Sequence, residues 1–493
     1  MRTNLSGPAA EAVDDVVRRI FGPLQLAVAG RIKSGKSTVV NALIGRRVSP
    51  TDVRECTRLV TRFRYGTVDR VEVVRLDGSR AQLPYDADGM VPADLHVQVD
   101  DVAFIDAYLT SALLRDVTVI DTPGLGSVDS GSVTRTRALL GAEDLDEASR
   151  AAIASAEAVV FVLTQAARAD DVEALAIFRA ATTRQASSPI NAVGVLNKAD
   201  QITAGSDDDG GAGVPATGAD DPMAAARSLA RAQAIALQHR VSDVLPLMGL
   251  VAETAEAGLF TEADADALRQ IAALDAAERE VLFYSADLFL RPDVDVPLTA
   301  RTRLLERLDV EAIRHGVGML AVDDRLQAGE LRRRLAAISG FGAVRDAVDS
   351  EFRRRADAIK ANVALASLES LAGASPEPDS NRIRDGIESL LQRPEAHRLR
   401  LVEAASLVAS ATVPLPEDLA REVARFAVGR TAADQLGRPG ASADELAAAA
   451  LAAARRWRSF ASFGSTPAQS RVAHTVHRGY FLLWQELQSA TRS

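Results

Sequence analysis

Apolar and polar positions follow two different patterns along the chain. In the first, short apolar runs of strand length alternate with helical periodicity. Strands are predicted at 24–29, 60–65, 70–75, 80–83, in the run from 113 that ends at 121, and at 158–164, 192–196 and 244–251. Helices are predicted at 9–20, 36–44, 145–156, before 192, and at 229–241. This alternation predicts a doubly wound, mostly parallel sheet that binds ligands at the carboxyl ends of its strands.

The second pattern begins near residue 326, where the strand signals stop. Long helical patterns follow, separated by segments rich in proline or glycine, at 331–371, 381–411, 417–436, 443–463 and 467–490. They predict an elongated helical bundle, so the fold class is α/β followed by all-α. The predicted division is an N-terminal helix that packs on the bundle (1–22), the α/β domain (23–325, with a disordered loop at about 203–222) and the bundle (326–493).

The chemistry begins at Gly30, where the sequence reads Gly-x-x-x-x-Gly-Lys-Ser between a predicted strand and a helix start. A phosphate chain needs many fixed donors in place of water, and backbone N–H groups supply them if the loop can curl around it. The helix that begins near Lys36 adds free N–H groups and the positive end of its dipole. Lys36 is predicted to reach the β- and γ-phosphates, and the Ser37 hydroxyl to bind Mg²⁺. The stretch predicts a nucleotide site.

Two later motifs, each at the end of an apolar strand, narrow the nucleotide. In Asp121-Thr122-Pro123-Gly124, the aspartate can hold Mg²⁺ through water and the Gly124 N–H can meet the γ-phosphate. In Asn197-Lys198-Ala199-Asp200, the Asp200 carboxylate can accept the guanine N1–H and N2 amino protons, which adenine does not offer. Asn197 would brace the loop, and the stem of Lys198 would cover the base. Together the motifs predict GTP with Mg²⁺.

The remaining chemistry is less tightly specified. Thr57 is our choice for the mobile threonine that joins the metal, with Thr51 and Thr61 as competitors, and Arg31 and Lys33 are either phosphate contacts or solvated loop charges. The predicted catalytic residues are Lys36, Ser37, Thr57, Asp121 and Gly124, of which Ser37, Thr57 and Asp121 would serve the metal. The predicted nucleotide contacts are Gly30, Arg31, Lys33, Ser34, Gly35, Lys36, Ser37, Thr38, Asn197, Lys198 and Asp200.

These motifs, together with Cys56-Thr57-Arg58 and the run from Leu113 to Leu125, resemble the dynamin-like large GTPases, specifically the bacterial isoniazid-inducible subgroup. The resemblance covers residues 24–255 well and the helical remainder in layout only. It implies a GTPase head at 23–325 and a helical neck and trunk at 326–493. It also implies Mg²⁺-dependent GTP hydrolysis, a GTP-linked head dimer, and remodelling of a lipid bilayer from the cytosolic side.

One position departs from the family. Eukaryotic members carry a glutamine two residues after the first loop glycine, which helps to place the catalytic water, whereas this chain has Ile32, and Leu125 offers no substitute. Hydrolysis is therefore expected to be slow or to use groups from a partner. The alternative function is a slow GTP-binding scaffold that partners a longer, lipid-binding dynamin-like paralogue. A small translation- or assembly-type GTPase with an unrelated helical tail is a second alternative.

Composition restricts the partners. The net charge of −10 argues against nucleic acid and therefore against the translation-type alternative. The single cysteine, Cys56, fits a reducing cytosol, and no apolar run reaches membrane-spanning length. No signal peptide is visible, so we expect a cytoplasmic protein whose membrane contact is peripheral. The family resemblance implies that this contact is at the inner face of the plasma membrane. The apolar segment 401–413, beside Arg398 and Arg400, either packs within the bundle, which we favour, or enters a lipid interface.

Overall fold

A computed structural model describes residues 5–50, 59–123, 155–164, 175, 191–202, 223–291, 293–391, 393, 396–462 and 466–490. All structural statements below concern these residues.

A nine-stranded sheet forms the first part of the chain. Its strands are β1 (Leu24–Gly30), β2 (Thr61–Tyr65), β3 (Arg70–Arg75), β4 (Arg80–Leu83), β5 (Val102–Leu109), β6 (Val117–Asp121), β7 (Ala158–Leu163), β8 (Ala192–Asn197) and β9 (Val244–Leu247). They lie in the order β4-β3-β5-β2-β6-β1-β7-β8-β9. Five of the eight neighbouring pairs are parallel. The prediction of a mostly parallel, doubly wound sheet is confirmed. β7 is apolar throughout and β8 is apolar up to Asn197, because both faces of these strands are covered.

The sequence pattern missed β5 and misplaced two strand ends. β5 lies inside the polar passage between 84 and 112, where no strand was predicted. Its Asp106 is fully buried because Arg62 of β2 donates two hydrogen bonds to its carboxylate, at 2.7 and 2.8 Å. A single turn of 3₁₀-helix, Leu113–Arg115, precedes β6, so that strand starts later than predicted. β9 ends at Leu247 rather than at residue 251, since a helix begins at Gly249.

Helices make up most of the rest of the described chain. They are α1 (Gly7–Phe21), α2 (Lys36–Ile44), α3 (Ala224–Ala236), α4 (Gly249–Glu256), α5 (Glu262–Ala272), α6 (Ala276–Leu282), α7 (Ala286–Phe289), α8 (Leu298–Val322), α9 (Ala328–Ile338), α10 (Phe341–Ala347), α11 (Ala356–Ala374), α12 (Asp379–Leu391), α13 (His397–Ala409), α14 (Glu417–Val428), α15 (Ala432–Leu436), α16 (Ala443–Ser462) and α17 (Pro467–Ala490). The helical region that follows the sheet is confirmed, and helices from Gly249 to Val322 precede the predicted boundary near 326.

The long helical pattern at 331–371 is broken in the structure. Gly340 has φ of 82°, and a Cβ there would overlap the carbonyl oxygen of Pro246. Only glycine allows both this conformation and this close approach, so the chain turns between α9 and α10. A π-turn (Val348–Phe352) and a 3₁₀ turn (Arg353–Arg355) then separate α10 from α11.

The helices contribute to several hydrophobic cores. Phe341, Val344 and Phe352 pack in the same core as β1, β6 and α2, so the turn after α9 returns the chain to the sheet. A second core joins α4, α5 and α8. A third unites α13 with α14, α16 and α17 and buries Leu401 and Val408. The favoured interpretation of segment 401–413, packing within the bundle, therefore agrees with the structure.

The N-terminal helix contacts helices that lie far along the chain. α1 packs against α11. Ser6 donates its backbone N–H to Asp379 at 3.2 Å, and the Lys360 ammonium donates to the Gly22 carbonyl. These contacts hold the first strand and the helical region together at one place. No described helix combines the length and apolar character that crossing a bilayer would require.

Asp264 of α5 provides a test of the second core. Its carboxylate is buried and accepts hydrogen bonds from Arg303 (2.8 Å) and Arg307 of α8 and from the Thr261 hydroxyl. Burial disfavours the charge, but the hydrogen bonds from Arg303 and Thr261 outweigh it and hold the pKa of Asp264 below its usual range. We expect Asp264→Asn to lower the free energy of unfolding by about 3 kcal/mol, because it leaves two guanidinium groups poorly paired.

Urea titration measures this loss. The stabilisation is present above the ordinary aspartate pKa and lost as pH falls through the depressed one, so the gap between wild type and variant should narrow in acid. Asp266→Asn is the matched control, because Asp266 lies on the same helix and forms only an exposed pair with Arg269. Equal losses for the two variants would contradict the prediction.

Candidate GTPase site

The phosphate loop lies between β1, which ends at Gly30, and α2, which begins at Lys36. Three of its residues have positive φ: Gly30 (152°), Lys33 (63°) and Gly35 (85°). A Cβ on Gly35 would overlap the side-chain nitrogen of Asn197, so that position needs glycine for space as well as for conformation. The loop therefore curls back at the N-terminus of α2, where free backbone N–H groups favour an anion.

Lys36, Ser37 and Asp121 converge beside this loop. The Lys36 ammonium, on a side chain only 9% exposed, donates to the Arg31 carbonyl at 2.9 Å. Burial lowers the pKa of Lys36, and the charge of Asp121 partly offsets this effect. The Ser37 hydroxyl donates to the Asp121 carboxylate at 3.2 Å. Burial raises the pKa of Asp121, and hydrogen bonds from Ser49 and Ser37 and the charge of Lys36 oppose the rise.

The side-chain oxygen atoms of Ser37 and Asp121 are ligands that suit Mg²⁺. The metal prefers oxygen ligands and usually takes one or two from protein, the rest coming from water and phosphate. A hydroxyl and a carboxylate in contact, at the foot of a phosphate loop, fit that requirement. Within the described ranges, no group of three or more carboxylate, histidine or cysteine side chains could hold a metal alone. A divalent cation held by Ser37 and Asp121 would complete its coordination with water and phosphate oxygens.

Ser49 is a residue that the sequence analysis missed. Its hydroxyl donates to the Asp121 carboxylate at 2.6 Å, which is shorter than the Ser37 contact. Asn41 of α2 holds it in place, accepting from the backbone N–H groups of Val48 (3.0 Å) and Ser49 (2.8 Å). Nothing in the local sequence distinguishes Ser49 from other loop serines, because the partner that matters lies 72 residues away.

Asn197 connects the loop after β8 to the phosphate loop. Its side-chain N–H donates to the Ser34 carbonyl at 2.9 Å, and its side-chain oxygen accepts from the Gly249 N–H, at the start of α4, at 2.9 Å. Lys198 follows with φ of 56°, and Asp200 lies in a single 3₁₀ turn, Ala199–Gln201. The two predicted nucleotide segments are therefore in direct contact.

The structure describes some of the other predicted residues and not others. Thr57, Thr51, Gly124 and Leu125 lie outside the described residues. Thr61, the third candidate for the metal threonine, belongs to β2, where it pairs with Asp121. Ile32 is 55% exposed, beside Arg31 and Lys33 on the outer side of the loop.

Comparisons with known proteins identify the family. The model of the Dynamin family matches residues 26–199, the span that contains the site. The isoniazid-induced protein IniC of Mycobacterium tuberculosis (strain ATCC 25618 / H37Rv) is 32% identical over 454 residues, which cover 90% of this chain and 86% of IniC. The chain belongs to the dynamin family. The extent of the match to IniC identifies it as a bacterial dynamin-like GTPase of the Ini type.

Two further relatives match less well. The bacterial dynamin-like protein of Nostoc punctiforme is 32% identical over 123 residues, which cover 22% of this chain and 18% of that protein. A solved structure of an oligomerised bacterial dynamin pair covers 98% of this chain and 88% of its own, at 12% identity and a TM-score of 0.33. A TM-score this low carries no argument. The dynamin-type GTPase domain itself supports GTP hydrolysis as the activity of this family member.

Proposed function

We propose that this dynamin-family protein hydrolyses GTP with Mg²⁺, that GTP drives dimerisation of its heads, and that the cycle remodels a membrane at its cytosolic face. The observation that carries the proposal is the convergence of Lys36, Ser37 and Asp121 at a loop that Asn197 braces. In this assignment Lys36 binds the β- and γ-phosphates, while Asp200 selects guanine. Mg²⁺, when bound, neutralises charge on the phosphate oxygens. Ser37, Asp121 and Thr57 would hold it.

In the dimer, a facing head would supply the polar group that positions the attacking water, which a single head lacks. Ile32 stands where eukaryotic members have a water-placing glutamine, and its apolar side chain is 55% exposed beside the phosphate loop. A facing head would cover this side chain and bring polar groups to the γ-phosphate. The proposed partners are a second copy or a dynamin-like paralogue in its place, and membrane lipid at the inner face of the plasma membrane.

GTP turnover measured across a range of protein concentrations tests this proposal. We expect the rate per molecule to rise with concentration, because dimerisation completes the site, and to rise again with anionic vesicles. Ile32→Gln should raise the rate at low concentration, because it supplies in one head a group that the dimer otherwise provides. A rate per molecule that stays constant with concentration would contradict the dimer.

Ile32 also favours a second candidate, the slow GTP-binding scaffold that partners a lipid-binding paralogue. The same experiment separates the two. A scaffold would bind GTP yet release phosphate slowly at every concentration, with and without vesicles. Absence of GTP binding would contradict both functions.

A further inference from the structure

A break inside the long helix α8 points towards the guanine-recognition loop. Asp309, within Leu298–Val322, has φ of 64° and ψ of 164°, whereas its neighbours are helical. This region is essentially reserved for glycine, so a residue with a Cβ persists there only if the surroundings hold it. Such strain identifies Asp309 as a position where some contact outweighs the local preference.

Three hydrogen bonds hold the break. The Gln201 side chain donates to the Asp309 carboxylate at 3.0 Å, and the Val310 N–H donates to its other oxygen at 2.6 Å. Next to the break, the Arg307 carbonyl accepts from the Thr254 hydroxyl of α4 at 2.6 Å. The first of these bonds reaches the turn that carries Asp200, the proposed guanine selector.

Asp309 also acts on the carboxyl group of Asp200, both as a negative charge and as a hydrogen-bond partner. Two carboxyl groups form a hydrogen bond only when one of them is protonated. Burial, and then the negative charge of Asp309, raise the pKa of Asp200 to about 7. The other charge that acts on Asp200 is Lys198 of the same loop, which favours ionisation. On α8, Glu311 faces Asp309 and is paired with Arg314 and His315.

We propose that Asp309 and the guanine base compete for the carboxyl group of Asp200, so that α8 senses whether the base is bound. This inference rests on the proposed function and adds a positioning residue to it. Guanine recognition needs both oxygens of an ionised carboxylate to accept N1–H and N2–H. In the described conformation one of those oxygens is engaged by Asp309. Binding of the base must therefore remove a proton from the pair and separate Asp200 from the strained turn of α8.

Hydrogen bonds connect the break in α8 to both the guanine loop and the phosphate loop. Asn197 holds the N-terminus of α4 through Gly249, and Thr254 of the same short helix contacts the break in α8. The phosphate loop, the guanine loop, α4 and the break therefore form one connected set of hydrogen bonds. A change in the Asp200–Asp309 contact alters the part of α8 that packs in the second core.

Binding of GDP at pH 6, 7 and 8, measured by calorimetry, tests the competition. For wild type, affinity should rise with pH by up to about tenfold, following the ionised fraction of a group whose pKa is about 7. Asp309→Asn keeps the shape and one oxygen that can accept from Gln201 or Val310, but it removes the charge. We therefore expect this ratio to fall to about threefold or less, chiefly through tighter binding at pH 6. Asp309→Gly should show the same reduced ratio. Because glycine also relieves the backbone strain, this variant replaces Asp309→Asn if the asparagine variant folds poorly.

His315→Gln is the matched control, because His315 lies on the same helix and pairs with Glu311, and its replacement leaves Asp309 in place. It should retain the wild-type ratio. A second measurement, hydrogen exchange of the α8 amides around Asp309, should change when GDP binds to wild type. The inference would be overturned if Asp309→Asn showed the wild-type ratio of affinities at pH 8 and pH 6, or if GDP left the exchange of the α8 amides unaltered. GDP binding by the protein would still leave the proposed function standing. If wild type binds no GDP at any pH, the proposed function is the part that fails.

Discussion

Lys36→Ala is expected to reduce GTP turnover by at least about 100-fold, the scale at which loss of one preorganised charged contact to a transition state is felt. In the structure this ammonium is buried and rests on the Arg31 carbonyl, a weak partner for a full charge. The phosphates would offer a better one, so the loss should appear in both kcat and nucleotide affinity. Phosphate release under saturating GTP measures the first, and GDP binding measures the second.

Lys360→Ala is the matched control for this experiment. Lys360 is likewise a buried lysine that donates to a backbone carbonyl, that of Gly22, but it belongs to the contact between α1 and α11. We expect it to lower the thermal midpoint and leave turnover intact below that temperature. Lys360 lies away from the phosphate loop, and its loss only removes the partner of the part-buried Gly22 carbonyl. Lys36→Ala should show the reverse. If Lys36→Ala turns over GTP at the wild-type rate, its assignment to the phosphates is wrong.

The second large effect is expected for Asn197→Ala. The substitution removes both bonds of the side chain and leaves the Ser34 carbonyl and the Gly249 N–H buried without these partners. We expect a loss of about 2–3 kcal/mol in the free energy of unfolding and, because the phosphate loop is no longer preorganised, a 30- to 100-fold loss of GDP affinity, about the same energy. Urea titration and calorimetry measure the two quantities.

Comparison with Asp200→Ala separates bracing from base recognition. Asp200→Ala should remove the preference for GDP over ADP and retain the binding of inorganic pyrophosphate. Asn197→Ala should weaken GDP and pyrophosphate together, because it disturbs the loop that holds phosphates. Asn362→Ala, at a buried asparagine of α11, controls for the general cost of such a substitution. Unaltered pyrophosphate binding in Asn197→Ala would contradict the bracing role.

Local spacing made the loop between β1 and α2 predictable. Glycines at Gly30 and Gly35 and the lysine that follows occupy positions that the backbone geometry of a phosphate loop requires, so sequence alone indicates it. The strands that end at Asp121 and Asn197 were predictable for a related reason. Each is an apolar run that is followed at once by a nucleotide-binding motif. Membership of the dynamin family confirms the fold that these patterns indicated.

What could not be predicted depends on partners far away in the chain. β5 contains one charged residue, the buried Asp106, within an otherwise apolar run, and the partner that explains it, Arg62, is 44 residues distant. Ser49 gains its role from Asp121, and Asp309 from a loop 108 residues earlier. The helical pattern at 331–371 appeared continuous because the demand for a turn at Gly340 comes from Pro246. In each case tertiary contact decided against the local pattern.

The return of the chain to its sheet after α9 has a consequence for how the protein is made. The last strand ends at Leu247, yet Phe341, Val344 and Phe352 complete the core of the sheet about 100 residues later. At ribosomal rates of about 5–20 residues per second, the finished strands would wait roughly 5–20 seconds for these side chains to emerge. During that interval the nascent head exposes the apolar surface that these three side chains later cover. A shortened gene that stops before α10 would make that exposure permanent.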